Sequence, residues 1–136
     1  MELIPDHSSP LTPVRIYLVE DSPMILERLE WMVRRIDGAQ SVGHAARADE
    51  AISAILAARP DVVMLDLHLA QGNGFEVLRA VHQKAPEIAI YVLSNFASAP
   101  YRQLAQRLGA TEFFDKTTEF ENVMTAISER AKRTLN

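Results

Sequence analysis

Five short runs rich in apolar and β-branched residues alternate along this chain with five segments whose apolar residues recur at helical spacing. The runs are Val14 to Val19, Ser41 to Ala46, Asp61 to Asp66, Ile88 to Ser94 and Thr111 to Asp115. Three of them (VRIYLV, DVVMLD and IAIYVLS) are nearly continuous in apolar residues, the mark of strands covered on both faces. Strand–helix–strand units joined by right-handed crossovers close into a parallel sheet with helices on both sides. The expected class is therefore α/β, a doubly wound five-stranded parallel sheet with five helices.

Local signals punctuate the helices. Ser22-Pro23 opens the first, with Ser22 as cap and Pro23 in the first turn. Ile25, Leu29, Met32, Val33 and Ile36 form its buried stripe, and Asp37-Gly38 ends it. The second runs from Asp49 to Arg59 with Ala51, Ile52, Ile55 and Leu56 inward, and Pro60 stops it. The third, Phe75 to Lys84, buries Val77, Leu78 and Val81 after a loop with Gly72, Asn73 and Gly74. The fourth, Pro100 to Leu108, gathers Tyr101, Leu104, Ala105 and Leu108 on one face before Gly109 terminates it. The fifth, Phe120 to Lys132, turns Phe120, Val123, Met124, Ile127 and Ala131 inward.

With 136 residues the chain can build one domain with a sizeable core, and too little remains for a second. A net charge of -4 argues against direct nucleic-acid binding, which needs clustered Lys and Arg. The absence of cysteine removes disulfides and thiolate metal sites and is compatible with a cytoplasmic location. No apolar run approaches the roughly 20 residues of a membrane helix, so no membrane contact is expected. Residues 1–13, with Pro5, Pro10 and Pro13, read as a flexible N-terminal arm, and 14–136 as the folded domain.

Polar residues stand where four strand-like runs end: Glu20 and Asp21, Asp66, Ser94 and Lys116. A parallel sheet brings strand ends of one polarity to one edge, and ligands bind beyond those carboxyl ends. Two carboxylates about 6 Å apart repel by roughly 3 kcal/mol at an effective dielectric near 20, so a bare acidic trio calls for a cation. Mg2+ suits hard oxygen ligands that leave room for water and a phosphate oxygen. Lys116 adds positive charge and Ser94 a hydroxyl donor for an anion.

That ordered set resembles the receiver domain of two-component response regulators over residues 14–133, including the loop Asp66-Leu67-His68-Leu69-Ala70-Gln71-Gly72-Asn73-Gly74. The resemblance implies a flavodoxin-like sheet of strand order 2-1-3-4-5. It implies that Asp66 accepts a phosphoryl group from phosphohistidine on a histidine kinase or phosphotransfer protein. Asp21, Glu20, Asp66 and the main-chain carbonyl of His68 would hold Mg2+. Lys116 would pair with Asp66 and later with phosphoryl oxygen, and Ser94 would turn inward to bond the phosphoryl group. Phe113 would swing inward as the switch aromatic, a local charge change shifting a two-state element.

The chain departs from the family pattern in three places. Ala70 stands where the loop usually has proline. Thr117 stands where proline often follows the lysine with a cis bond, which leaves the isomer of the Lys116–Thr117 bond open. Asn95 and Phe96 are bulkier than usual after Ser94 and are expected to hinder water and slow phosphoryl loss.

Plainer readings compete. Asp66, Ser94 and Lys116 could be surface groups taken singly, Glu20-Asp21 could serve the helix dipole, and Phe113 could be core. Trp31, at helical spacing with Arg28 and Arg35, is a partner-docking residue or packs on the terminal helix. His7, His44, His68 and His82 lack metal-ligand spacing.

The expected function is a stand-alone signalling switch with an unknown downstream protein target, and a phosphorylation-dependent dimer is compatible with it. It is a phosphoacceptor with self-catalysed transfer and autodephosphorylation, not an enzyme on a separate substrate. One alternative is the receiver of a longer DNA-binding regulator. Another, an aspartyl-nucleophile phosphatase, suffers because His68 occupies the place of a needed second acid.

Overall fold

The structure is a computed structural model and describes residues 12–135. Of the expected N-terminal arm, residues 1–11 lie outside the described residues, as does His7. Five strands and five helices alternate: β1 Val14–Val19, α1 Pro23–Arg34, β2 Ala39–Ala45, α2 Ala48–Ala58, β3 Val62–Leu65, α3 Gly74–Lys84, β4 Ala89–Ser94, α4 Ala99–Leu108, β5 Glu112–Asp115 and α5 Phe120–Leu135. All the strand pairs are parallel, in the order β2-β1-β3-β4-β5. Strand order reverses between β1 and β3, which makes the crevice beyond their carboxyl ends the place for a ligand.

Alternation along the strands divides the core in two. Ile16, Leu18, Val62, Met64, Tyr91 and Leu93 pack beneath α1 and α5 with Leu29, Val33, Val123 and Ile127. Tyr17, Val19, Val63, Leu65, Ile90 and Val92 face α2, α3 and α4 with Ile55, Val77, Leu78 and Ala105. Because β1, β3 and β4 are covered on both faces, their residues are buried almost without exception. This is the physical basis of the continuous apolar runs.

Several boundaries differ from the periodicity. β2 starts at Ala39 because the Val14 N–H reaches the Gly38 carbonyl at 2.7 Å, so pairing begins at the turn. Tyr17 lies against Gly43, where an added Cβ would meet the ring at 2.8 Å. α2 begins at Ala48, whose N–H is taken by the Gln71 carbonyl at 2.9 Å. In α2, Ala51 and Ile55 are buried, whereas Ile52 and Leu56 are half-buried. In α4 Ala105 alone of the expected apolar face is fully buried; Tyr101 is exposed and stacks beside Phe96 and Phe75.

The loop after β3 is held tightly. Asn73 caps α3 in a reciprocal capping box with Glu76. Gly74 N–H donates to the Leu67 carbonyl at 2.9 Å, and a Cβ on Gly74 would collide with the Asp66 carbonyl. Ala70, the departure from the usual loop proline, donates its N–H to the Ala46 carbonyl at 3.0 Å, a bond proline cannot make.

Candidate functional site

Backbone pairing sets the positions of the site residues before any side chain acts. Asp66 N–H donates to the Val19 carbonyl at 2.9 Å, Lys116 N–H to the Ser94 carbonyl at 2.8 Å, and Glu20 N–H to the Ala45 carbonyl at 3.0 Å. Residues from the ends of β1, β3 and β5 thereby meet around a cavity of about 330 Å³. Its walls include Glu20, Asp21, Asp66, His68, Asn95, Phe96 and Lys116.

Lys116 is the hub. Its Nζ lies 3.0 Å from Glu20 Oε1, 3.2 Å from Glu20 Oε2 and 3.3 Å from Asp66 Oδ2. Glu20 and Asp66 are almost fully buried, and the Lys116 side chain nearly so. Ser22 N–H orients Glu20 by donating to Oε2 at 3.2 Å, and His68 N–H donates to Asp66 Oδ1 at 3.2 Å. Oxygens of Glu20, Asp21 and Asp66 all approach within 4.8 Å of one another, and Asp21 is exposed at the mouth.

The charges do not balance: three carboxylates face one ammonium. Burial raises the Asp66 carboxyl from its ordinary value to about 7, and the Glu20 charge adds to the rise. Lys116 and the His68 N–H oppose it incompletely. A deprotonated Asp66 therefore asks for a second cation. The donor set, three hard carboxylate oxygens around an open cavity, fits a small divalent ion that keeps some of its waters.

Ser94 behaves differently from its neighbours. It is fully buried, its Oγ accepts the Phe96 N–H at 2.9 Å, and it is not among the residues lining the cavity. Phe113 is half-buried at the core edge, with the Arg102 guanidinium 4.8 Å from its ring centroid. The Lys116–Thr117 bond is trans, since no described residue follows a cis bond, and Thr117 N–H donates to Asp115 Oδ1 at 2.8 Å. Asn95 and Phe96 both reach the cavity wall.

Sequence reading overlooked the aromatic pairing at the rim. The His68 imidazole stacks on Phe96 with ring centroids 4.3 Å apart, and Phe96 in turn lies 5.6 Å from Tyr101. No periodicity signals such contacts, because His68 and Phe96 come from loops after different strands and Tyr101 from α4. The contact of Arg102 with the Phe113 ring was equally hidden. Trp31 is 53% exposed with Arg35 stacked on it, while Arg28 covers Phe120 of the terminal helix. His44 is exposed and His82 packs beside Gly109. Among the described residues no helix is long and apolar enough to cross a membrane.

Comparison with known proteins converges on one family. Residues 16–128 match the model of the response regulator receiver domain. The transcriptional regulatory protein MalR of Bacillus subtilis is 27% identical over 120 residues, covering 88% of this chain and 51% of MalR. The receiver domain of the putative response regulator NarL from Mycobacterium tuberculosis superposes with a TM-score of 0.81 at 24% identity, covering 89% of this chain and 98% of that one. The response regulator domain of Thermotoga maritima CheB gives 0.75 at 24% identity, with 91% and 97% covered. The chain spans about half the length of the curated relatives it matches.

Proposed function

We propose, from the premise that this chain belongs to the response regulator receiver domain family of two-component systems, that it is a switch driven by phosphorylation of Asp66. The observation that carries the reading is the Lys116 ammonium lodged between Glu20 and Asp66 with Asp21 close by. A carboxylate is a weak nucleophile, so alignment and charge neutralisation must supply the catalysis.

In this reading an Asp66 oxygen attacks phosphorus of a phosphohistidine donor, and the phosphorus–nitrogen bond breaks with its electron pair left on imidazole. Glu20, Asp21, Asp66 and the His68 carbonyl would hold Mg2+. That ion would supply charge neutralisation of the phosphoryl oxygens and keep the Asp66 carboxyl ionised. Lys116 would exchange part of its contact with Asp66 for a phosphoryl oxygen. Ser94 would leave the Phe96 N–H to bond the phosphoryl group, and Phe113 would move inward in response. Asn95 and Phe96, at the cavity wall, would restrict water and lengthen phosphoryl lifetime.

The donor would be a histidine kinase or phosphotransfer protein acting in the cytoplasm. The domain would be residues 14–136 preceded by an arm, with its output carried by protein contact. A second reading, the receiver of a longer DNA-binding regulator, is favoured by relatives such as DevR/DosR of Mycobacterium tuberculosis, described as a DNA-binding transcriptional activator. The genomic reading frame decides between them.

The central test is incubation with Mg2+ and acetyl phosphate followed by intact mass. One added phosphoryl group, absent in Asp66→Ala, is expected. No mass gain in the folded wild type would end the reading. Steady phosphate release from generic monoesters would favour a phosphatase instead.

A further inference from the structure

Arg102 of α4 lies outside the acidic cavity, yet its side chain ties together three segments that flank it. Nε donates to the Ala97 carbonyl at 2.9 Å, in the loop three residues past Ser94. Nη1 reaches the Phe113 carbonyl on β5 at 3.4 Å, and the guanidinium covers the Phe113 ring. Nη2 meets Glu119 Oε1 at 3.0 Å, in the turn that follows Lys116.

The chain of contacts continues toward the site. The same Glu119 oxygen accepts the Asp115 N–H at 2.8 Å, and Asp115 Oδ1 accepts the Thr117 N–H. Lys116 therefore sits between two residues that are both held through this network. The Asp115 N–H and Arg102 keep the Glu119 carboxyl below the usual carboxylate range, so it stays ionised for the clamp. A planar guanidinium can serve three acceptors at once in fixed directions, which an ammonium cannot.

We infer that Arg102 is a positioning residue that clamps the loops after Ser94 and Lys116, with Phe113 between them, in the arrangement that keeps the Ser94 hydroxyl out of the acidic cavity. This deepens, and rests on, the reading of Asp66 as phosphoacceptor. For Ser94 to reach a phosphoryl group, its Oγ must give up the Phe96 N–H, and the adjoining loop must shift against Ala97, which Arg102 holds. For Phe113 to move, the guanidinium above it must leave. The three contacts break together, so the clamp sets how often the acceptor-ready arrangement is populated. It is also partly open to solvent, 39% for Arg102 and 35% for Glu119, which keeps it reversible.

The test uses the full chain as wild type, Arg102→Ala, Arg102→Lys and Glu119→Gln, with circular dichroism to establish folding. Without phosphodonor, nuclear magnetic resonance should show the Phe113 ring and the 94–97 and 115–119 amides moved in Arg102→Ala, and partly restored in Arg102→Lys. With Mg2+ and acetyl phosphate, an Asp66 oxygen bonds phosphorus while acetate leaves with the electron pair of its own phosphorus–oxygen bond. That rate, read by intact mass, should rise about threefold to tenfold in Arg102→Ala and Glu119→Gln, and the double variant should add nothing more. Unmoved resonances in a folded variant, or a rate equal to or below wild type, would overturn the clamp. If Arg102→Ala does not fold, Glu119→Gln decides by the same two measures. A wild type that never gains a phosphoryl group would sink the phosphoacceptor reading instead, and the resonances alone would then judge the clamp.

Discussion

The two halves of the sheet edge are built on different principles. On the β1–β3 side, Glu20 and Asp66 are buried, fixed by backbone pairing, and backed by a loop in which Gly74 has no space for a Cβ. On the β4–β5 side, Ser94 is turned away, Phe96 and Tyr101 stand partly in solvent, and α4 buries only Ala105 completely. The first half is a receptacle held by core packing and backbone pairing, and the Lys116 ammonium reaches into it from the end of β5. The second is secured by rim stacks and half-exposed polar contacts, which are worth little singly and rearrange readily. The switch proposed above, which would take up a phosphoryl group and pass the change on, calls for both kinds of construction side by side.

Substitutions in the receptacle should be the costly ones. Lys116→Met removes the ammonium from two buried carboxylates and should destabilise the metal-free protein by about 3 kcal/mol at pH 8. The loss should shrink at pH 5, where a proton can replace the missing charge; equal losses in urea titrations at both values would contradict this electrostatic account. Gly74→Ala forces backbone apart beside Asp66 and should cost about 2 to 3 kcal/mol by thermal denaturation. An unchanged melting temperature there would show that the receptacle yields more easily than its contacts imply.

The acidic cluster also gives the receptacle a pH signature. Asp66 faces Glu20, Asp21, Lys116 and the His68 N–H, and its carboxyl titrates near 7 when folded, above the ordinary 3.8. The native state therefore holds the proton more tightly than the unfolded chain, so stability is lost as pH rises from about 4 to about 7. Metal-free Asp66→Asn should escape that loss and exceed the wild type by on the order of 2 kcal/mol at pH 8. Millimolar Mg2+ should stabilise the wild type and not this variant; parallel denaturation curves for the two would remove the case for a cation here.

The smallest stability effects belong to the other half. Phe96→Ala loses a stack worth about 0.5 to 1 kcal/mol, most of it at the surface. Its effect should appear instead in phosphoryl lifetime, shortened in Phe96→Ala and in Asn95→Ala by loss of cover over the cavity. Equal lifetimes in both variants and wild type would remove the shielding role.

The contrast also explains what could be read from the chain. The continuous runs of β1, β3 and β4 were plain because both faces of each strand are buried, and the acids at their ends followed from parallel topology. β2 starts two residues earlier than its spacing suggested, since that start depends on Val14 meeting Gly38 across the sheet. Tyr101 looked like core by spacing, yet it lies outside because α4 covers the sheet edge only in part.

By itself the sequence determined the alternation of strands and helices, and hence which five polar residues stand at strand ends. Apolar periodicity is a local property, and right-handed parallel connection does the remaining sorting. Tertiary structure alone decided that Ser94 engages Phe96, that Ala70 and Thr117 use N–H groups where the family often has proline, and that Arg102 reaches Ala97, Phe113 and Glu119 together. The directions of hydroxyl, amide and guanidinium groups depend on which neighbours folding brings near, and no spacing along the chain encodes them.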